Sequence, residues 1–376
     1  TLNGIYNNTI ITVNANDANI YGFYIVTNNS TALKLNGNNA KIINNTITSI
    51  LSGDIPSYYN GTSEFTGNGI LIDSDNNLIE NNHIFKHYNG IKLENSNNIT
   101  IKNNDIEVNN FGIYYGYNVA NTNVLYNNIS NNIGFIDYNN PEGPIGYGIF
   151  ANNSAVNLTI KGNNIIKNYI GVNFNAPNNT GIKMTSNLVF NSTLEGVVFW
   201  PNFLPINGEY PLVTNNAIYD NAKGPGMFIL GEMSANPYGI YAPGVNDTSK
   251  RLYLGPNFYG VNLIVTWDLD GTVGAGTMCP RIKTTAIHFN NLTYVSPGVY
   301  KIIFYSDDKN TTIAKDLPDF KIYGYLNGKN ETEINVHNGI GLLKFNTDDY
   351  IKNQTNEIWI SAGSLFDEER SFRVIF

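Results

Sequence analysis

The sequence predicts an all-β protein in two parts, a right-handed parallel β-helix solenoid over residues 1–255 and a small β-sandwich over 256–376. Three observations predict it. A six-residue frame returns seven times: an aliphatic residue, two variable positions, Asn, one variable position, and a second aliphatic residue. Its closest copies lie 22 or 23 residues apart (Asn82 to Asn104, Asn104 to Asn127), a period that marks a solenoid. Beyond Leu254 the frame stops, and longer alternating runs separated by turn residues take over.

The frames are Ile42–Ile47, Ile79–Ile84, Ile101–Ile106, Val124–Ile129, Ile160–Ile165, Met184–Val189 and Val213–Ile218. Their framework is Ile and Val rather than Leu, and no run of helix formers separates them, so short strands are expected and not the helices of a leucine-rich repeat. The fourth position is always Asn: Asn45, Asn82, Asn104, Asn127, Asn163, Asn187 and Asn216. The third position wanders through Asn, Tyr, Gly and Ser. A compositional bias would enrich both positions, whereas a geometric demand fixes one. Stacked coils lie about 4.8 Å apart. An Asn amide offers both donor and acceptor, so Asn residues repeated at that spacing can bond along the axis as a ladder. Each rung then contributes about 0.5–1.5 kcal/mol. Asn also tolerates the left-handed backbone of a tight bend, and stacked Asp carboxylates would repel. An earlier coil, Ile20–Ile25, fits the frame with Phe23 in place of Asn, so the ladder is expected to start one coil into the solenoid.

A strand led by glycine precedes each frame: 69–72, 90–93, 112–115, 148–151, 171–174, 196–199 and 226–229. The first and third residues after Gly should point inward and the second outward. The outward row then includes Leu71, Lys92, Tyr114, Phe150, Val198 and Phe228, with Trp200 beside it. Apolar stripes of this kind signal contact. The spacings Asn45 to Asn82 (37 residues) and Asn127 to Asn163 (36) reveal insertions near 48–68 and 130–147, and a third lies near 200–210. The first two should leave the same edge three coils apart, about 14–15 Å. They carry Tyr58, Tyr59 and Phe65, and Phe135, Tyr138 and Tyr147. With Asp73, Lys92, Glu94 and Tyr114 between them, they define a candidate groove for a polysaccharide or a neighbouring subunit. The other outcome is that the loops lie flat over outward apolar residues such as Leu71 and Phe150.

In the second part, strands are expected at 262–267, 284–289, 299–305, 320–325, 331–336, 341–345, 357–361 and 371–376. Asp270-Gly271, Pro297-Gly298, Asn327-Gly328 and Asn338-Gly339 separate some of them as turns. This many short strands suggest an immunoglobulin-like β-sandwich without the paired cysteines of true immunoglobulin domains.

Charged residues make up 14% of the chain and net charge is -8, with no basic patch, which argues against nucleic acid as a partner. The single cysteine, Cys279, excludes an intrachain disulfide and a Cys-based zinc site, and its simplest role is as a small buried hydrophobe. No signal peptide or transmembrane run is recognisable, and the chain opens directly into solenoid sequence. The first coil is therefore expected to be covered by an upstream segment or another chain. Glycosylation sequons occur at Asn7, Asn28, Asn29, Asn44, Asn60, Asn98, Asn128, Asn152, Asn157, Asn178, Asn191, Asn246, Asn291, Asn310, Asn330 and Asn353, a distribution that suits a secreted, surface-exposed glycoprotein.

The phrases Asn44-Asn45-Thr46-Ile47 and Gly90 to Ile106, with the closing Asn257-Phe258-Tyr259-Gly260-Val261-Asn262, carry a resemblance. The solenoid resembles the NosD-like β-helix repeats of archaeal, methanogen-type cell-surface proteins, namely surface-layer glycoproteins and adhesin-like proteins. The likeness covers roughly two thirds of the chain and is specific for fold, since the same repeat serves lyases, hydrolases and inert scaffolds. It implies an extracellular structural glycoprotein that self-assembles or contacts neighbouring surface proteins, without a cofactor or metal.

The chemistry-bearing residues are few. Asp73 and Glu94 occupy the same slot on consecutive coils beside Lys92, which places two carboxylates at the separation of a retaining glycosidase pair or at a solvated turn edge. His83, His87, His288 and His337 lack metal-ligand spacing. The acid-bearing triplet Asn346-Thr347-Asp348 and the pair Asp307-Asp308 lie after the coils, with no Gly-His-Gly phrase beside them. The expectation is a non-catalytic scaffold, the alternative a carbohydrate-active enzyme or sugar-binding protein using the inter-loop groove.

Overall fold

The structure, a computed structural model, describes residues 2–3, 9–28, 30–49, 67–134, 146–175, 180–199, 211–219, 221, 228–229, 232–233, 238–241, 252–258, 263–265, 282–289, 291–307, 309–352, 354–361 and 370–375. It is a parallel β-helix followed by an antiparallel β domain.

Three parallel sheets form the walls of the solenoid. Sheet I has nine strands, including His83–Phe85, Asp105–Glu107 and Asn128–Ser130. Sheet II has ten, including Asn68–Ile72, Asn89–Leu93 and Phe111–Tyr115, and sheet III has ten, including Leu78–Glu80, Ser96–Lys102 and Val119–Leu125. Each coil runs through sheets II, III and I in turn. Register is strict: Ile47, Ile84, Ile106 and Ile129 stand over one another in sheet I, and Ile42, Ile79, Ile101 and Val124 in sheet III. These are the two aliphatic ends of the repeated frame. Together with the sheet II columns they fill the interior, where nearly every member is fully buried. A one-residue slip would turn these columns to solvent, so the hydrophobic pattern fixes the register.

Each coil turns three corners, and among the described residues a left-handed residue marks most of them. Between sheets III and I stand Asn44, Asn81, Asn103, Tyr126, Gly162, Ser186 and Asn215, all with φ between 55° and 67°. Between I and II stand Lys86, Val108, Asn131, Lys167 and Asn191. The corner after sheet II uses Asp17, Asn39, Asn76, Asn98, Asn121, Asn157 and Gly181. The glycines that open the sheet II strands answer a different demand. A Cβ on Gly112 would lie 2.5 Å from the Gly148 carbonyl oxygen and 2.9 Å from Ile129 Cγ2, so the close approach of stacked backbones excludes it.

Parallel pairing runs past residue 255. Leu263–Val265 joins sheet II and Ile282–Ala286 joins sheet III, so two segments expected as sandwich strands extend the solenoid instead. Sequence alternation does not separate the two outcomes, because a half-buried strand has the same period in either setting. The glycine-led phrase 226–229 also departs from expectation. Phe228–Ile229 pairs antiparallel with Glu232–Met233, and the strand stacked on Val197–Phe199 is Tyr238–Tyr241.

The antiparallel domain is a seven-stranded sheet in the order Leu292–Ser296, Val299–Ile303, Ile340–Lys344, Lys329–His337, Phe320–Leu326, Thr355–Ser361, Arg370–Ile375. The turns at Asn327-Gly328 and Asn338-Gly339 have positive φ at both residues, the geometry that matches hairpin twist. One face carries Ile302, Phe304, Phe320, Ile322, Ile334, Val336, Leu343, Ile358 and Ile360. That face closes a sandwich-like core against the solenoid flank, sharing one cluster with Leu188, Ala217, Tyr219 and Phe258.

Candidate functional site

The most extensive polar arrangement is the asparagine column. Backbone N–H and Nδ2 of Asn82 both donate to Oδ1 of Asn104, at 2.9 and 3.0 Å. The same double bond joins Asn45 to Asn82, Asn104 to Asn127, Asn127 to Asn163, Asn163 to Asn187 and Asn187 to Asn216. Each Nδ2 also reaches backbone carbonyls, as Asn104 does to Ile79 at 2.9 Å and Lys102 at 3.0 Å. All these amides are buried and fully paired, as buried polar groups require. The column begins where the sequence places it, with the Phe23 N–H donating to Asn45 Oδ1. It ends one rung later than the frames suggest, at Asn257, which accepts from Asn216 at 2.9 Å. From Asn45 to Asn216 the left-handed bend belongs to the residue before the ladder Asn and not to the ladder Asn itself. The third frame position varies because several side chains tolerate that conformation in a tight corner.

A second column escaped the sequence reading. His87, Asn109 and Asn132 donate their backbone N–H groups to Oδ1 of Asn109, Asn132 and Asn168, and Ser192 donates to Asn221. The signal was present as Asn five residues after a ladder Asn. His87 heads this column. Its ring bonds the Ile47 carbonyl, its Nε2 has no partner, and burial pushes its pKa down to about 4.

The proposed groove is only partly within the described residues; Tyr58, Tyr59, Phe65, Phe135 and Tyr138 lie outside them, as do Trp200 and Cys279. The flanks of the two long insertions do leave the same corner, between sheets I and II, after Ser49 and Ser130. Lys92 pairs with Glu94 at 2.9 Å, and its Nζ lies 5.6 Å from the Tyr114 ring centroid. Glu94 also accepts from the Tyr117 N–H, and Asp73 accepts from Asn95 Nδ2. Both carboxylates therefore hold neighbouring coils together. The outward row runs Leu71, Lys92, Tyr114, Phe150, Asn173, Val198, and its next backbone partner is Tyr241 rather than Phe228. Phe111, Tyr114, Tyr147 and Phe150 form one aromatic cluster on this face, with Tyr147 and Phe150 centroids 4.4 Å apart. Beside it Asn173 is buried with neither amide atom paired. Glu195, further along, is buried, and desolvation raises its pKa to about 7.

Among the described sequons, Asn98, Asn128, Asn152 and Asn157 spend Nδ2 on bonds to Asn76, Asp105, Tyr114 and Asn121, and Asn44 on Tyr21. Asn28, Asn191 and Asn291 make no such bond and are at least partly exposed. Asn310 meets His288, and the side chain of Asn330, with Asn7, Asn29, Asn60, Asn178, Asn246 and Asn353, lies outside the described residues.

The solenoid brings together one group with no sequence spacing to announce it. His83 Nε2 lies 2.9 Å from Glu107 Oε1 and 3.8 Å from Asp105 Oδ2 on the outer face of sheet I. Of the other acids, Asp307 organises its own loop by accepting from Lys309, Thr311 and Thr312, and Asn346 caps the short turn 347–349. Among the described residues no helix is long and apolar enough to cross a membrane. Comparison of the chain with family models and with curated proteins finds no match.

Proposed function

We propose that this chain is an extracellular structural glycoprotein of the kind found on archaeal cell surfaces: a surface-layer subunit, filament subunit or adhesin that contacts its own copies or neighbouring surface components. The asparagine column carries this reading. It runs from Asn45 to Asn257 with its rungs spent on coil-to-coil bonds, and Asp73 and Glu94 are likewise used between coils. A stiff prism of this kind supplies length and a regular lateral surface. Asn28, Asn191 and Asn291 are the described sequons that can take a glycan without breaking a rung. Electron microscopy of concentrated protein tests the proposal: ordered sheets or fibres support it. A strictly monomeric protein that releases reducing ends from polysaccharides, with release abolished by Glu94→Gln, contradicts it.

A second reading, a sugar-binding face, rests on the aromatic cluster around Tyr114 and Phe150. Flat rings stack on apolar sugar faces. Retardation by immobilised polysaccharide, lost in Tyr114→Ala, is its expected mark; equal migration of both proteins removes it.

A further inference from the structure

The geometry points to a divalent transition-metal site formed by His83, Asp105 and Glu107 across two consecutive coils. The three ligand atoms lie within 4.8 Å of one another, with edges of 2.9 and 3.8 Å from the imidazole. A zinc ion bound at about 2.0–2.2 Å by each donor needs ligand separations of this order. His83 and Asp105 are direct register partners, and Glu107 lies two residues further along the same strand, so strand stacking itself sets the spacing.

Two of the three donors are also aimed. Asn128 Nδ2 holds Asp105 Oδ1 at 2.7 Å, leaving Oδ2 turned toward the imidazole. The His83 ring stacks on Phe85 at 4.4 Å. Such outer partners fix ligands before the ion arrives. Charge points the same way. The outward residues that flank the cluster on sheet I are Thr46, Thr48, Phe85, Asn128 and Ser130, with no Lys or Arg among them. Among the described residues the two carboxylates have only the imidazole as an ion-pair partner, and a dication supplies the positive charge that such a group attracts.

An imidazole with two carboxylates suits zinc or manganese better than calcium, which takes six to eight oxygens. The half-exposed position leaves the remaining coordination sites to water or to a group from another molecule. The ion would clip neighbouring coils where the outer face of sheet I is polar and, among the described residues, half-exposed.

The test is calorimetric titration of the untagged full chain with Zn2+, and with Ca2+ alongside, for the wild type, Glu107→Gln and Asp105→Asn. Expected are saturable one-to-one zinc binding, at least about tenfold weaker in each variant, and a zinc-induced rise in thermal midpoint confined to the wild type. Both substitutions lie on the surface, and matching midpoints without zinc establish that the variants fold. Absence of saturable zinc binding, or equal binding by all three proteins, overturns the site and leaves His83 as a hydrogen-bond partner of Glu107.

Discussion

Val108 adopts φ 57° in a corner where its stacked neighbours are Lys86 and Asn131. A β-branched side chain is strained there, and Asn or Gly is not. Val108→Asn is expected to stabilise the protein by about 1 kcal/mol, read as a raised midpoint in chemical denaturation. Asn104→Ala should do the reverse. It strips the acceptor from the buried Asn82 N–H and removes three donor contacts, for a loss of about 3 kcal/mol. Asn103→Gly, one residue away at φ 56°, should be nearly neutral. The ladder itself was legible because Asn alone recurs at the fourth frame position. Which residue takes the left-handed bend was not, because Tyr126, Gly162 and Ser186 hide the constraint behind variety.

The elements around the I–II corner hold two buried ionisable groups that respond to pH in opposite directions. His87 has its pKa lowered from 6.5 to about 4, so the unfolded chain takes up its proton first. Its contribution is complete above pH 6.5 and is lost as pH falls toward 4, up to about 3 kcal/mol. Glu195 is raised from 4.5 to about 7, so the fold holds that proton more tightly. Its contribution is complete below pH 4.5 and is lost as pH rises through 7, by a similar amount of about 3 kcal/mol. The two slopes oppose each other between pH 4.5 and 6.5. Denaturation across pH should therefore show His87→Asn gaining stability on acidification from pH 7 to 4.5 and Glu195→Gln losing it from 6.5 to 4. Asn173 makes a separate prediction: Asn173→Leu removes an unpaired buried amide and should stabilise by about 1–2 kcal/mol. The outward row was readable from the two-residue strand period as far as Val198. It failed at Phe228 because the glycine phrase marks a strand without saying which strand it joins, and here the chain turns back on itself first.

At the scale of the whole molecule, the outer face of sheet I changes character along its length. One column reads Thr46, His83, Asp105, Asn128, Asn164, Leu188, Ala217 and the next Thr48, Phe85, Glu107, Ser130, Ile166, Phe190, Tyr219. The apolar end is where the antiparallel domain packs. Tyr219 donates to the Lys321 carbonyl at 2.9 Å and meets Phe320, while Phe258 stacks on Phe320 at 5.0 Å. That drift from polar to apolar was in the sequence, on either side of the inward Ile or Val of each frame, but it has meaning only once the register is known. Tyr219→Ala is expected to cost about 3–4 kcal/mol and to split one calorimetric transition into two as the domain uncouples from the prism.

Hydrogen exchange at the backbone N–H of the ladder residues, compared between the wild type and Asn104→Ala, tests the stacked column most directly. The Asn82 N–H points at the lost Asn104 oxygen, whereas the Asn127 N–H points at Asn163. The column predicts that protection collapses first at Asn82 and persists at Asn127 and Asn163. Equal loss on both sides of residue 104, or no loss at Asn82, would contradict it.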